Sequence, residues 1–567
     1  MKLLLKVWEL MFKNLYQNHW LANYNKDFLK SDFSAGLIVA IMLIPQSMAY
    51  SMLAGLPPVI GLYASTIPLL IYALLGSSRQ LAVGPVAMVS LLVLSGVSTL
   101  AEPGSDEFIA YALLLSLMVG VIQLSMGLFR LGFIVNFLSH AVISGFTSAA
   151  ALIIGFSQLK HLLGVSVEGE NVFVMLFNSL RRIGEVNWIT FAIGIASILV
   201  LLFFKKKMPK FPAPLLVVVG STLVVYFFNL EAHGVSIIRE VPGGLPAFSI
   251  PGFSMESISA LLPIALTISF VGFMESIAVA KTIASKEKYK VDSNQELTGL
   301  GAANIVGSFF SASPVTGGFS RTAVNYQAGA KSGLASIITA LLILLTLLFF
   351  TDLFYYLPNA VLAAIIMVAV FGLIDVEEAK HLFQIKKSDG WVLVITFLAT
   401  LLTSIEAGIL IGAGVSLLLF IWRSAYPHTA ELGYIEEEGV FKNIDRYSNA
   451  KLFEHTLIFR IDASLYFANL AFLEERIRKE ISEKPDINRV ILDFSGVNAI
   501  DAVAIDELEK LMNEYEEAGV EFNIAHVKGP VMDYLKKAGW DKKYQGKIEF
   551  LTLQQALASS KGSFHVS

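Results

Sequence analysis

Cysteine is absent from this 567-residue chain. Disulfides, thiol catalysis and cysteine-ligated metals are thereby excluded. Charge is scarce as well: Asp, Glu, Lys and Arg make up 16% of the residues, against about 25% in ordinary globular chains. The net charge of −4 leaves no electrostatic footprint for nucleic acid. The nine histidines show no metal-ligand spacing. No nucleophile–base constellation and no phosphate-cradling glycine loop occurs either. No catalytic residue, metal site or cofactor is expected, and the chain does not read as an enzyme.

Apolar residues fill the space that charge leaves. They make up 55% of the chain, and mean hydropathy is +0.66. Runs such as NWITFAIGIASILVLLFF (187–204) and LASIITALLILLTLLFF (334–350) approach the length needed to cross a bilayer. The chain reads as a polytopic α-helical membrane protein in contact with lipid. Its N-terminus lacks a compact apolar core followed by a small-residue cleavage site, and is read as a cytoplasmic interfacial helix.

Fourteen spans are expected, near 33–53, 58–76, 84–100, 108–129, 141–163, 186–204 and 212–228, then 257–281, 293–310, 314–330, 333–351, 358–374, 390–404 and 406–423. With the N-terminus inside, KKKMPK (205–210), KEKYK (286–290) and HLFQIKK (381–387) all fall in cytoplasmic loops. The outside loops include AEPGSDE (101–107) and the lysine-free stretch 229–256. That asymmetry follows the positive-inside rule, with Arg181 and Arg182 the main exception. An even count leaves the C-terminus cytoplasmic.

Roughly half of the charged residues lie beyond 430, which marks a second domain. The expected layout is a cytoplasmic segment 1–30, a transmembrane domain 31–425, a soluble domain 430–560 and a tail 561–567. In the soluble part, strand patterns at 455–467, 488–497 and 520–527 alternate with helical patterns at 472–483, 501–520 and 529–540. A small α/β domain results.

Two spans are anomalous. LAVGPVAMVS (81–90) and SASPVTGGFS (311–320) each carry a small residue, then Pro-Val, then more small residues. Each opens the third span of its group of seven. Interrupted segments at corresponding places in two halves point to a transporter binding site. Half-helices starting at Pro85–Val86 and Pro314–Val315 would aim two positive dipole ends into one pocket. Such a pocket favours an anion, and Arg321 adds fixed positive charge. The alternative is an arginine held at the membrane interface by lipid phosphate.

Glu275 sits inside LLPIALTISFVGFMESIAVAK (261–281). An ionisable residue at membrane depth is costly and reads as functional, here as a proton carrier. Its alternative is a structural carboxyl bonded to backbone or to Ser276. Gln46 follows Pro45 in an apolar run; its amide either lines a polar cavity or bonds a neighbouring helix.

Together, PQSMAYSMLAGLPPVIGLYAS, GSSRQLAVGPVAMVS and SPVTGGFSRTAVN resemble the signature segments of the SulP (sulfate permease) anion transporters, relatives of prestin and pendrin. The C-terminal part resembles their STAS domain. The resemblance covers nearly the whole chain. It implies a seven-plus-seven inverted repeat, a core domain moving against a gate domain, and homodimers. It also implies an anion site at Gln46, Val86, Ala87, Gly318, Phe319, Ser320 and Arg321, with Glu275 coupling transport to H⁺. Sodium-coupled relatives carry an Asp at that position and a Thr one turn later. Here the latter is Val279, which offers Na⁺ no oxygen.

The expected function is therefore secondary active symport of sulfate or a similar small inorganic or carboxylate anion with a proton, across a cell membrane. Bicarbonate or C4-dicarboxylate transport, or passive exchange or conduction, are the rivals. In anti-sigma-factor antagonists that share the STAS domain, a phosphorylatable Ser follows an Asp. Here Ala502 follows Asp501, which excludes that modification and leaves open a soluble partner or nucleotide.

Overall fold

A computed structural model describes residues 24, 26–133, 139–165, 172–208, 211–252, 254–403 and 405–559. Most of the expected N-terminal segment 1–30 and all of the tail 561–567 lie outside these residues. The chain forms two compact units, Met1–Ser416 and Leu417–Ser567.

The first unit opens with α1 (Lys26–Leu53), which carries Pro45 in its interior. Next come α2 (Pro58–Ala64) and α3 (Ile67–Leu75), which together make one span, and the two-residue strand β1 (Val83–Gly84). Then follow α4 (Ala87–Val97), α5 (Asp106–Leu128), α6 (His140–Ser157), α7 (Leu159–Leu163), α8 (Val172–Arg181), α9 (Trp188–Lys207) and α10 (Ala213–Phe227). The second half holds α11 (Met255–Lys286), α12 (Ser293–Ser308), strand β2 (Thr316–Gly317), α13 (Phe319–Gln327), α14 (Leu334–Phe349), α15 (Asn359–Phe371), α16 (Val376–Ile385), α17 (Lys387–Leu402) and the start of α18 (Ile405–Ala425), within which the second unit begins at Leu417. Every expected span has a helical counterpart. The short helices α8 and α16 are additions that the hydropathy pattern did not separate.

Eight of the described helical segments are long and apolar enough to cross a membrane unaided. Two conspicuously are not. Helix α4 has 11 residues and α13 has 9, so they rise about 16 and 14 Å. Each covers about half of a hydrocarbon core roughly 30 Å thick. They meet where β1 and β2 pair antiparallel, Val83 opposite Gly317 and Gly84 opposite Thr316. That antiparallel junction of two half-helices is what a seven-plus-seven inverted repeat produces at its centre.

Helices α5 and α12 pack with their backbones almost touching, because glycines line the seam. A Cβ on Gly120 would stand 2.6 Å from the Ile305 amide nitrogen and 2.8 Å from the Gly301 carbonyl oxygen. Small residues permit such approach between membrane helices. Gly120→Val is expected to force the pair apart at a cost of about 1–3 kcal/mol or more. The check is the yield of monodisperse protein in detergent and its melting temperature; an unchanged melting temperature would refute the packing argument.

The second unit is an α/β domain with a five-stranded sheet in the order β4-β3-β5-β6-β7. Its strands are β3 (Thr429–Ile435), β4 (Val440–Asn443), β5 (Thr456–Ile461), β6 (Arg489–Asp493) and β7 (Glu521–Ala525). The β3–β4 hairpin and the β3–β5 pair are antiparallel, whereas β5–β6 and β6–β7 are parallel. The helices are α19 (Leu470–Glu483), α20 (Ala502–Glu517), α21 (Gly529–Lys537), α22 (Trp540–Lys543) and α23 (Leu553–Ala558). Side chains alternate across the sheet, as a period of two requires. Leu457, Phe459 and Ile461 pack on one face with Leu473, Leu508 and Trp540. Ile458 and Ile491 pack on the other with Leu553 and Ala556. Asp501 caps α20 by accepting the Ala504 N–H at 2.8 Å and also accepts the Phe467 N–H at 3.0 Å.

Candidate functional site

The junction of the half-helices is held by side chains from their neighbours. Asn304 on α12 accepts the Val315 N–H through Oδ1 at 2.8 Å and donates Nδ2 to the Val315 carbonyl at 3.0 Å. A relay runs from the Gly317 N–H to Ser276 Oγ (2.8 Å), on to Thr316 Oγ1 (2.7 Å) and then to the Gly272 carbonyl (2.5 Å). The Ala82 N–H donates to Thr322 Oγ1 at 3.1 Å, and the Gly318 N–H to the Ala82 carbonyl at 3.1 Å. Irregular backbone inside a membrane protein needs such partners, because lipid supplies none.

Helix α4 starts after its cap Val86, and α13 starts after its cap Gly318. The expected start at Pro314–Val315 is therefore displaced by several residues. The reason is physical: the polar groups of Val315 are clamped by Asn304, and Thr316–Gly317 is spent on pairing with Val83–Gly84. The two Pro-Val pairs are not structural counterparts; β1 and β2 are.

Neither half-helix has a side-chain cap. Their first intrahelical bonds are Ser90 N–H to Val86 and Thr322 N–H to Gly318. The N–H groups of Ala87, Met88 and Val89, and of Phe319, Ser320 and Arg321, thus have no acceptor within their helices.

A cavity of about 60 Å³ lies between these two N-termini. It is lined by Gln46 and Tyr50 of α1, by Val86, Ala87 and Met88, by Glu275 of α11, by Gly318, Phe319, Ser320 and Arg321, and by Ala369, Val370 and Leu373 on the face of α15 and just beyond it. All eight residues named from the sequence meet in this one space. Tyr50 was missed although it lies one turn from Gln46 on the same helix face, a signal the spacing carried. Ala369, Val370 and Leu373 are apolar and left no signal in the sequence.

Arg321 is only 1% exposed, which removes the reading of an arginine at a lipid interface. Its Nη1 donates to the Pro85 carbonyl across the junction. Its Nε and Nη2 have no hydrogen-bond partner among the described residues, nor do Glu275 Oε2 and Gln46 Oε1. Glu275 does not use Ser276, whose hydroxyl is engaged by Gly317 and Thr316. The site thus combines enclosed, unsatisfied donors with one unsatisfied carboxylate oxygen. Buried polar groups are seldom left so, and free donors beside helix N-termini suit an anion.

Elsewhere in the first unit, Glu296, in the first turn of α12, is fully buried and was not singled out from the sequence. It accepts from the Ser77 N–H at 2.7 Å, the Ser78 N–H at 3.0 Å and the Tyr72 hydroxyl at 2.6 Å. This carboxylate is satisfied and structural: it ties α12 to the segment leading into β1.

Comparison with known proteins places the two units of the chain in known families. The sequence model of the sulfate permease family matches residues 29–396, and that of the STAS domain matches 447–556. Sulfate transporter 4.1, chloroplastic, of Arabidopsis thaliana is 42% identical over 528 residues, covering 89% of this chain and 76% of the relative. Sulfate transporter 3.1 of the same plant is 36% identical over 573 residues, covering 96% of this chain and 87% of the relative. Among solved structures, the murine Solute Carrier 26 family member A9 anion transporter in the inward-facing state superposes with a TM-score of 0.88 at 27% identity. That match covers 95% of this chain and 92% of the other. The transmembrane domain of the cyanobacterial bicarbonate transporter BicA shares the fold at a TM-score of 0.60 and 23% identity, covering 69% of this chain and 98% of the other.

Proposed function

Because the chain belongs to the sulfate permease family, a family of transporters rather than enzymes, we propose that it is a secondary symporter of a small oxyanion, sulfate in the first instance, with a proton. One observation carries this reading. Two uncapped half-helices, an enclosed arginine with two free nitrogens and an unpartnered carboxylate oxygen face one small cavity. The N–H groups of the half-helices and Arg321 hold the anion. Glu275 takes the proton that accompanies it and releases it when the cavity changes sides.

The cavity has the volume of a few water molecules, a scale that suits a tetrahedral or planar inorganic anion better than a C4-dicarboxylate. Val279, one turn beyond Glu275, is buried and apolar, which disfavours a sodium ligand set there. The loop charges support a topology with the N-terminus and the STAS domain in the cytoplasm.

Proteoliposome uptake tests the proposal. Labelled sulfate, bicarbonate and a C4-dicarboxylate are each offered with and without imposed proton and sodium gradients. Sulfate accumulation driven by acid outside and indifferent to sodium is expected. Uptake that ignores the proton gradient would instead make the protein an exchanger or a channel.

A further inference from the structure

The second unit contains a basin of about 290 Å³ lined by His428, Lys442, Asn443, Arg446, Tyr447, Arg460 and Asp462. Lys442, Arg446 and Arg460 set three fixed positive charges against the one carboxylate of Asp462. That carboxylate is already committed. Arg460 grips it with Nε at 2.7 Å and Nη2 at 3.0 Å, and His428 Nδ1 lies 2.7 Å from it. Burial by itself would raise the Asp462 pKa, but the hydrogen bonds from Arg460 and His428 outweigh it and hold the carboxyl below its ordinary range.

Lys442 and Arg446 have no carboxylate partner among the described residues. The Lys442 ammonium stands 5.5 Å from the centre of the Tyr447 ring. A turn built on Asn443 presents this edge: its Oδ1 accepts the Asp445 N–H at 2.8 Å, and its carbonyl accepts the N–H groups of Arg446 and Tyr447. Two cations without a carboxylate partner, one of them beside an aromatic ring, over a recess rather than a convex face, are more than a solvated charge run. Four of the lining residues, His428, Lys442, Asn443 and Arg446, come from the β3–β4 hairpin and its flanks, ahead of residues 447–556 that match the STAS domain.

We propose that this basin binds a tetrahedral dianion, phosphate or sulfate, either free in solution or as the exposed end of a lipid headgroup. Arg446 offers the planar fork that matches two oxygens of such a group, and Lys442 a mobile point charge. Asn443 Nδ2 makes no hydrogen bond among the described residues and remains available as a neutral donor. The space holds on the order of ten waters, enough for the anion and part of whatever carries it. The site is built wholly from residues of the second unit and does not depend on what the membrane cavity transports.

The experiment is peptide-resolved hydrogen exchange on the full chain in zwitterionic nanodiscs, with ionic strength held constant by chloride. Millimolar sulfate or inorganic phosphate is expected to slow exchange in peptides covering 440–447 and 456–462. The protection is expected to persist in Arg321→Gln, which separates it from occupancy of the membrane cavity. In the double variant Lys442→Gln/Arg446→Gln the concentration needed rises at least about tenfold, as loss of charge-assisted bonds requires. Protection that appears only when nanodiscs contain a phosphoinositide identifies the headgroup as the source and upholds the site. Equal protection in chloride alone, or a double variant that responds as the parent does, overturns it.

Discussion

Replacing Glu275 with Gln is expected to abolish acid-driven accumulation of the anion while leaving its binding and exchange within a few-fold of the parent. The side chain keeps its length and shape, so the cavity walls formed by Gln46, Tyr50 and Arg321 are undisturbed. What disappears is the ability to gain and lose a proton at the unpartnered Oε2. One pH unit across the membrane is worth about 1.4 kcal/mol, or tenfold in accumulation for each proton carried. The variant therefore forfeits about tenfold for every unit of imposed gradient. Uptake is followed in proteoliposomes with acid outside, and counterflow at equal pH reports the anion step alone. Acid-stimulated uptake that survives the substitution would remove Glu275 from the coupling step, and loss of counterflow as well would make its role structural.

The second large effect is expected at Arg321, and its neighbour Gly318 separates charge from position. Arg321→Gln removes the fixed charge and two free donors from the cavity. With charge-assisted hydrogen bonds worth about 1.5–3 kcal/mol each, apparent affinity for the anion should fall on the order of a hundredfold or more. Gly318→Ala makes a gentler intervention. The backbone at Gly318 lies at φ −89° and ψ 129°, which any residue adopts. The obstacle is space: an added Cβ would stand 2.8 Å from Arg321 Nη2 and 3.0 Å from its Nε and Cζ. Those atoms end a flexible side chain, so the protein folds and the guanidinium moves. An affinity loss of about tenfold, with unchanged melting temperature, is the expected result. A Gly318→Ala protein with the parent's affinity would mean that the guanidinium position is immaterial to binding.

Much of the candidate site was legible because its chemistry is rare in such a chain. A glutamate, an arginine and a glutamine inside apolar runs stand out, and interrupted segments at matching places in two halves mark where a cavity is to be sought. What the pattern misjudged is instructive. The repeated Pro-Val pairs invited an alignment that the hydrogen bonds contradict, since β1 pairs Val83–Gly84 with Thr316–Gly317 and leaves Pro314–Val315 to Asn304. The β3–β4 hairpin went unseen as well. Its cations line the basin of the second unit, but its short strands carry too little alternation to declare themselves.

The sequence by itself determined that this chain is a multi-pass membrane protein followed by an α/β domain, and which polar residues stand out inside its apolar runs. Those conclusions follow from local quantities: run length, loop charge and the price of an ion in hydrocarbon. Only the tertiary structure decided where the half-helices start, which residues of α15 close the cavity and which donors are left free. Each of these depends on bonds between residues far apart in the chain, such as Glu296 with Ser77 and Ser78, or Arg321 with the Pro85 carbonyl. Whether a buried donor is satisfied is a property of its partners' positions, and no stretch of sequence contains both ends of those bonds.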